Sequence, residues 1–134
     1  MITPDAIQVE RWKEYENALA KSLLSFLPPE EVLCEWEILG RSEQEVYVWA
    51  VCNGGDSSGS VPVVIHLASN GDIQSVERIK NWSADIPRLF PAEVQEKFER
   101  YHFGRAGEML EHAAWRRTHP GEPPLIVLSV TPTP

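Results

Sequence analysis

The side chains able to do chemistry in this chain of 134 residues are four histidines, two cysteines and twenty Asp or Glu residues. His112 follows Glu108 at the i, i+4 spacing, so on a helix the two share a face. Glu111 and His119 would extend that pair into a carboxylate–imidazole cluster suited to acid–base work or metal binding. A metal-binding helix presents two imidazoles on one face, as in His-Glu-x-x-His, and this spacing is missing. Helix-face ion pairing is therefore the expected role of Glu108 and His112. His66 stands between Ile65 and Leu67, so alternation turns it away from a core face, with a neighbour such as Ser75 as its expected partner. His102 and His119 read as surface residues near helix ends.

Glu35 and Glu37 are spaced to share one face of a strand, as a pair of glycosidase carboxylates might. On a half-exposed strand they are expected to be solvated instead. No Gly-x-Ser-x-Gly is present, and Ser57, Ser58 and Ser60 lie in a glycine-rich stretch, 53–60, without an oxyanion-turn signal. That stretch also lacks the lysine of a phosphate cradle and leads into β-branched residues, so it reads as a flexible connector. Cys34 and Cys52 form no Cys-x-x-Cys, and two cysteines alone make no zinc site. Both are expected as reduced, buried thiols behaving as small hydrophobes. No catalytic residue, metal or cofactor is expected.

The elements that position these groups follow from periodicity. Residues 4–27 read as a helix: Thr3 caps it, Pro4 and Asp5 suit its first turn, and Trp12, Tyr15, Leu19, Leu23 and Phe26 form its apolar stripe. Pro28-Pro29 ends it. Two strands follow, 32–39 and 45–52. Centring their hairpin on Glu43 sets Ile38 against Val48, Trp36 against Ala50 and Cys34 against Cys52, with every charge on the other face. Asn70-Gly71 then joins strands 61–68 and 72–79, pairing Leu67 with Gln74, Ile65 with Val76 and Val63 with Arg78. Pro62 suggests an edge or a bulge. Residues 83–90 suit a short turn of helix and 91–103 a helix with the stripe Val94, Phe98 and Tyr101. A further helix over 108–118 either continues it or stands apart, and 125–130 suit a last strand.

Composition bounds what such a fold does. Twelve Lys and Arg against twenty Asp and Glu leave a net charge of −8, which repels nucleic acid and anionic membrane surfaces. The start, Met1-Ile2-Thr3-Pro4-Asp5, has no signal-peptide character, and no apolar run approaches the roughly 20 residues of a membrane span. A cytoplasmic location is expected. The chain reads as one α+β domain over 1–134, with 131–134 as a tail. Its first helix packs on a mostly antiparallel sheet of four to five strands as a two-layer sandwich, with one or two C-terminal helices.

The strand Glu45-Val46-Tyr47-Val48-Trp49-Ala50-Val51-Cys52, the strand Val61-Pro62-Val63-Val64-Ile65-His66-Leu67, the segment Gly71-Asp72-Ile73-Gln74-Ser75-Val76 and a later Phe90-Pro91 resemble a group of small uncharacterised bacterial proteins. The resemblance spans roughly residues 35–98. It implies a bacterial source and brings no activity. A long helix before an antiparallel meander is also similar to a cystatin-type arrangement. The inhibitory Gln-x-Val-x-Gly loop of that family is absent, since Gln74-Ser75-Val76-Glu77-Arg78 ends in arginine.

Five tryptophans are many for this length. Trp12 and Trp36 fit the core. Trp49, with Tyr47 and Val51, falls on the face of Glu35 and Glu37, and Val64, His66 and Ile73 join that side. This face needs a cover, which would be the C-terminal helices, a second copy or a partner. Tyr47, Trp49 and His66 are accordingly the expected binding residues of a non-enzymatic interaction or accessory module, homodimeric or bound to a protein partner. The alternative is a small ligand- or metal-binding protein or enzyme. Its pocket would lie between sheet and C-terminal helices, where His66, His112 and Glu108 would meet Tyr47 or Trp49.

Overall fold

The computed structural model describes residues 9–98 and 104–128. Its elements are α1 (Trp12–Leu23), β1 (Leu33–Arg41), β2 (Glu45–Asn53), β3 (Ser58–Leu67), β4 (Ile73–Arg78), α2 (Trp82–Leu89), α3 (Ala92–Gln95), α4 (Ala106–Arg117) and α5 (Leu125–Leu128). The strands form one antiparallel sheet in the order β1-β2-β3-β4. The class is α+β, as expected.

Alternation decides the two faces of the sheet. Cys34, Trp36 and Ile38 face Cys52, Ala50 and Val48 in the anticipated register. With Val46, Val63 and Ile65 they meet Tyr15, Leu19 and Leu23 of α1 in an inner core, where the Tyr15 and Trp36 rings stack at 6.1 Å. A bulge at Leu39 shifts the pairing beyond Ile38, so that Gly40 opposes Tyr47. In the second hairpin Val63 pairs with Arg78 and Ile65 with Val76. Leu67 meets Ile73 rather than Gln74, because the strand slips by one residue next to the Asn70-Gly71 turn. The turn itself needs Gly71, whose φ is 91°. Pro62 lies in an inner strand opposite Trp49, and β4 pairing begins only at Val63, so no ladder donor is lost on that side.

Five expectations are corrected. The glycine-rich stretch is no flexible connector: β2 and β3 pair as far as Asn53 and Ser58, leaving a tight turn of Gly54 to Ser57. A side chain on Gly54 would collide with Leu27 and Leu24, which close over that turn. The first helix stops at Leu23, not 27, and Phe26, released from the stripe, is 69% exposed. Its expected caps Thr3, Pro4 and Asp5 lie outside the described residues. The 91–103 helix shrinks to α3, with Pro91 just before it, and α4 is a separate helix; Tyr101 and His102 lie outside the described residues. The expected last strand is α5, and 129–134 lie outside the described residues. Apolar runs of this length suit a buried helix as well as a strand, and α5 packs beside the free edge of β1, with Ile126 in the inner core. Finally, Cys34 and Cys52 are opposed and fully buried as expected, yet they are joined in a disulfide with Cα atoms 4.1 Å apart, so they are not thiols.

The second face makes a second core. Tyr47, Trp49, Val51 and Val64 lie beneath Ile86 of α2, Phe90, Val94 of α3, Phe98, and Ala106 and Met109 of α4. Trp49 meets Phe98 edge-on at 5.7 Å, and Phe98 meets Phe90 at 5.1 Å. The molecule therefore has three layers, helix–sheet–helices, where two were expected.

Candidate functional site

Laying α4 across β1 and β2 traps the two strand glutamates that alternation assigned to water. Glu35 is buried and Glu37 is 8% exposed. The basic side chains that meet them come from one face of α4 and its first turn, at Arg105, His112 and Arg116, an i, i+7, i+11 spacing. His112 Nδ1 lies 2.8 Å from Glu35 Oε2, Arg116 Nη1 donates to the same oxygen at 3.2 Å, and the Leu125 N–H donates to Oε1 at 2.7 Å. Arg105 Nε donates to Glu37 at 3.2 Å and its Nη1 to Glu108 at 2.7 Å.

Arg116 continues round the edge of β1 to the inner side. Its Nη2 lies 2.7 Å from Glu16 Oε2 on α1, its Nε donates to the Glu122 carbonyl at 2.9 Å, and its Nη1 also donates to the Cys34 carbonyl at 3.0 Å. The close Cα spacing of Cys34 and Cys52 marks a non-hydrogen-bonded pair, whose peptide groups point away from β2. Hence the Cys34 N–H is free to donate to Glu16 Oε2, at 3.0 Å. One buried guanidinium thus ties α1, β1 and α4 together. Burial pushes the Glu35 carboxyl above the usual carboxylate range; the bonds from His112 and the Leu125 N–H, and the nearby charges, oppose that shift.

The expected binding residues do not gather. Tyr47 and Trp49 are 6% and 2% exposed, because the chain's own helices fill the face that was expected to meet a partner. Tyr47 donates from its hydroxyl to Glu45 at 3.0 Å, and burial, with the Glu45 bond second, raises its pKa. Trp49 Nε1 donates to Ser60 at 3.0 Å. His66 sits at the rim, with Nε2 3.0 Å from Glu77 Oε1 and Nδ1 3.4 Å from Glu45 Oε2. Ser75 is its cross-strand neighbour but not its hydrogen-bond partner, since the longer glutamates reach the ring. His66 borders two clefts of about 550 and 510 Å3. Glu108 and His112 are not paired with each other: Glu108 binds Arg105 and His112 binds Glu35. The imagined convergence of His66, His112 and Glu108 on Tyr47 or Trp49 is absent among the described residues.

Sequence reasoning missed Glu35, Glu16 and Arg116. The available signal was complementarity, two carboxylates at i, i+2 on a strand against two arginines and a histidine on one helical face. It also missed a cleft of about 480 Å3 between α1 and the α4–α5 connection, bordered by Trp12, Lys13, Leu33, Arg116 and Gly121.

A carboxylate that fixes imidazole Nδ1 is the arrangement used in catalytic and metal-binding histidines. Here the Trp115 ring stacks on His112 at 5.3 Å and on His119 at 4.0 Å. None of the three clefts described above is bordered by Glu35, His112, Trp115 or His119, although Glu16 and Arg116 border the one beside Trp12. Among the described residues no group of three or more His, Cys, Asp or Glu is placed to hold a metal ion, and every buried side-chain nitrogen and oxygen has a hydrogen-bond partner. No described helix is long and apolar enough to cross a membrane. Fold and site together define a three-layer α+β protein with a buried charge cluster at one sheet edge. Comparison finds no matching family model, no similar curated protein and no similar solved structure.

Proposed function

We propose that the protein is a non-catalytic interaction or accessory module that meets a protein partner, with a second copy of the chain as the first choice. The observation that carries this reading is the internal pairing of the groups that could react. Glu35, His112, Arg116 and Glu16 face one another, Arg105 joins Glu37 to Glu108, and the cysteines are bonded together. With Tyr47 and Trp49 enclosed, the contact surface moves to α4. Trp115 is 43% exposed there and is held by the imidazoles of His112 and His119. A large ring with little freedom left to lose is a typical interface anchor. The expectation of reduced thiols rested on a cytoplasmic location; the cross-link counts against that location and favours oxidising surroundings.

Sedimentation of the wild type and of Trp115→Ala, with thermal melting of both, tests the reading. A wild-type dimer that weakens at least about tenfold in the variant, with the melting temperature unchanged, is the expected result. A wild type that is monomeric at high concentration removes self-association. Native mass measurement showing a stoichiometric small molecule would favour the ligand-binding alternative, with the Trp12 cleft as its site.

A further inference from the structure

We propose that closing α4 onto β1 takes up one proton, held in the Glu35–His112 pair, so that α4 is a pH-sensitive latch that loosens as the pH rises. The argument begins with a charge count. Glu16 and Glu35 bring two negative charges to the cluster and Arg116 brings one positive charge. The cluster is one positive charge short of neutral, and among the described residues the only further titratable partner touching Glu35 is His112. A proton anywhere along their 2.8 Å contact closes the count, as imidazolium beside carboxylate or as imidazole beside carboxylic acid. Without it, a net negative charge stays under the helix.

Water cannot carry that charge. The side chains of Glu35 and Arg116 are 1% and 3% exposed, and those of Glu16 and His112 only 14% and 16%. An uncompensated buried charge is among the most costly features a fold can hold. The neighbouring triad Glu37–Arg105–Glu108 has the same count of two acids and one base, yet its Glu108 is 66% exposed and solvent absorbs the excess. The charged and titratable groups around the pair are Glu16 from α1, Glu37 from β1, Arg105, Glu108, Glu111 and Arg116 from α4 and its first turn, and His119 on the far side of the Trp115 ring, while α5 brings the Leu125 N–H. Burial raises the Glu35 carboxyl in the same direction.

Opening at α4 alone is favoured by how the helix is held. Its fully buried apolar side chains are the small Ala106 and Ala113 with Met109, Leu110 packs only half-buried, and much of the remaining hold is polar, through Glu37, Glu35, Glu16 and, by Arg117, Asn53. Elements held in this way open below the global unfolding threshold. A closed state that binds a proton more tightly than the open one is fully favoured at low pH and loses that advantage as the pH rises through the closed-state value. One proton gives at most a tenfold change in the opening constant per pH unit.

Native-state hydrogen exchange of the full chain, from about pH 6 to about pH 8 and corrected for intrinsic exchange, tests this. The opening constant of the α4 amides should rise up to tenfold per pH unit within that range, while the β2 and β3 amides stay unchanged, and Glu35→Gln should flatten the dependence. Protection of α4 independent of pH would overturn the proposal. So would an equal change in β2 and β3, or an unaltered dependence in Glu35→Gln. If that variant does not fold, the wild-type Glu35 carboxyl carbon and His112 ring nitrogens are followed by NMR. Loss of one proton from the pair within that range supports the latch, and an ionised Glu35 beside a neutral His112 throughout overturns it.

Discussion

Cys34 and Cys52 show how far a register alone carries a residue-level reading. Placing them opposite one another required only the hairpin centre at Glu43 and the alternation of the strands, and that pairing holds from Cys34 to Ile38, before the Leu39 bulge moves the turn off that centre. Their oxidation state was not legible, because adjacency permits a bond without compelling it. The cross-link closes a sequence separation of 18 residues, a span whose removal costs about 2–4 kcal/mol. Cys34→Ser combined with Cys52→Ser should therefore lower the unfolding free energy obtained from urea denaturation by that amount. In the wild type, alkylation under denaturing conditions without reductant should label neither residue. Two labelled cysteines would show that the bond does not form in the protein as isolated. Glu35 marks the opposite limit. Alternation assigns a strand carboxylate to the non-core face, and whether that face is wet depends on a helix some seventy residues later.

At the scale of elements, capping was readable only in part. The short helix after the second hairpin was expected at 83–90, and it forms as α2. What holds its start is a reciprocal arrangement: Asn81 Oδ1 accepts from the Ala84 N–H at 3.1 Å, while Asp85 Oδ2 accepts from the Lys80 and Asn81 N–H groups at 2.8 and 3.0 Å. Those two backbone bonds, followed by Arg88, lower the Asp85 pKa from 3.8 to about 2. A carboxylate with a depressed folded value stabilises α2 above its unfolded pKa. That contribution is lost as the pH falls from 3.8 toward about 2. Asn81→Ala should cost about 1 kcal/mol in urea unfolding at neutral pH. Asp85→Asn should remove the acid-dependent part of α2 stability, followed by the exchange of its amides. An unchanged acid profile in Asp85→Asn would mean that another carboxylate carries it. The helix at 125–128 was not readable as such, because an apolar run of that length has no period of its own and its neighbours decide its form.

At the scale of the whole molecule, one sheet serves two cores, and this was legible as a need before it was visible as a structure. Tyr47, Trp49 and Val51 on the second face were too apolar to stay wet. The sequence offered the C-terminal helices, a second copy or a partner, and the helices fill the face. Because β1, β2 and β3 contribute alternate residues to both cores, neither core can be lost without releasing strands that the other needs. Trp36→Ala, beneath α1, and Trp49→Ala, beneath Phe98 and α4, should each cost about 3–5 kcal/mol. Against a total of about 5–15 kcal/mol, either change brings the protein near its threshold. Two outer layers that melted separately would give two calorimetric transitions, with Trp49→Ala moving only the one that contains α2 to α4. A shared sheet predicts a single transition that both variants lower, with equal calorimetric and van't Hoff enthalpies in the wild type. The rings lie on opposite faces of adjacent strands, so a double variant should lose close to the sum of the single losses if it still folds, any excess measuring what the sheet passes between its cores.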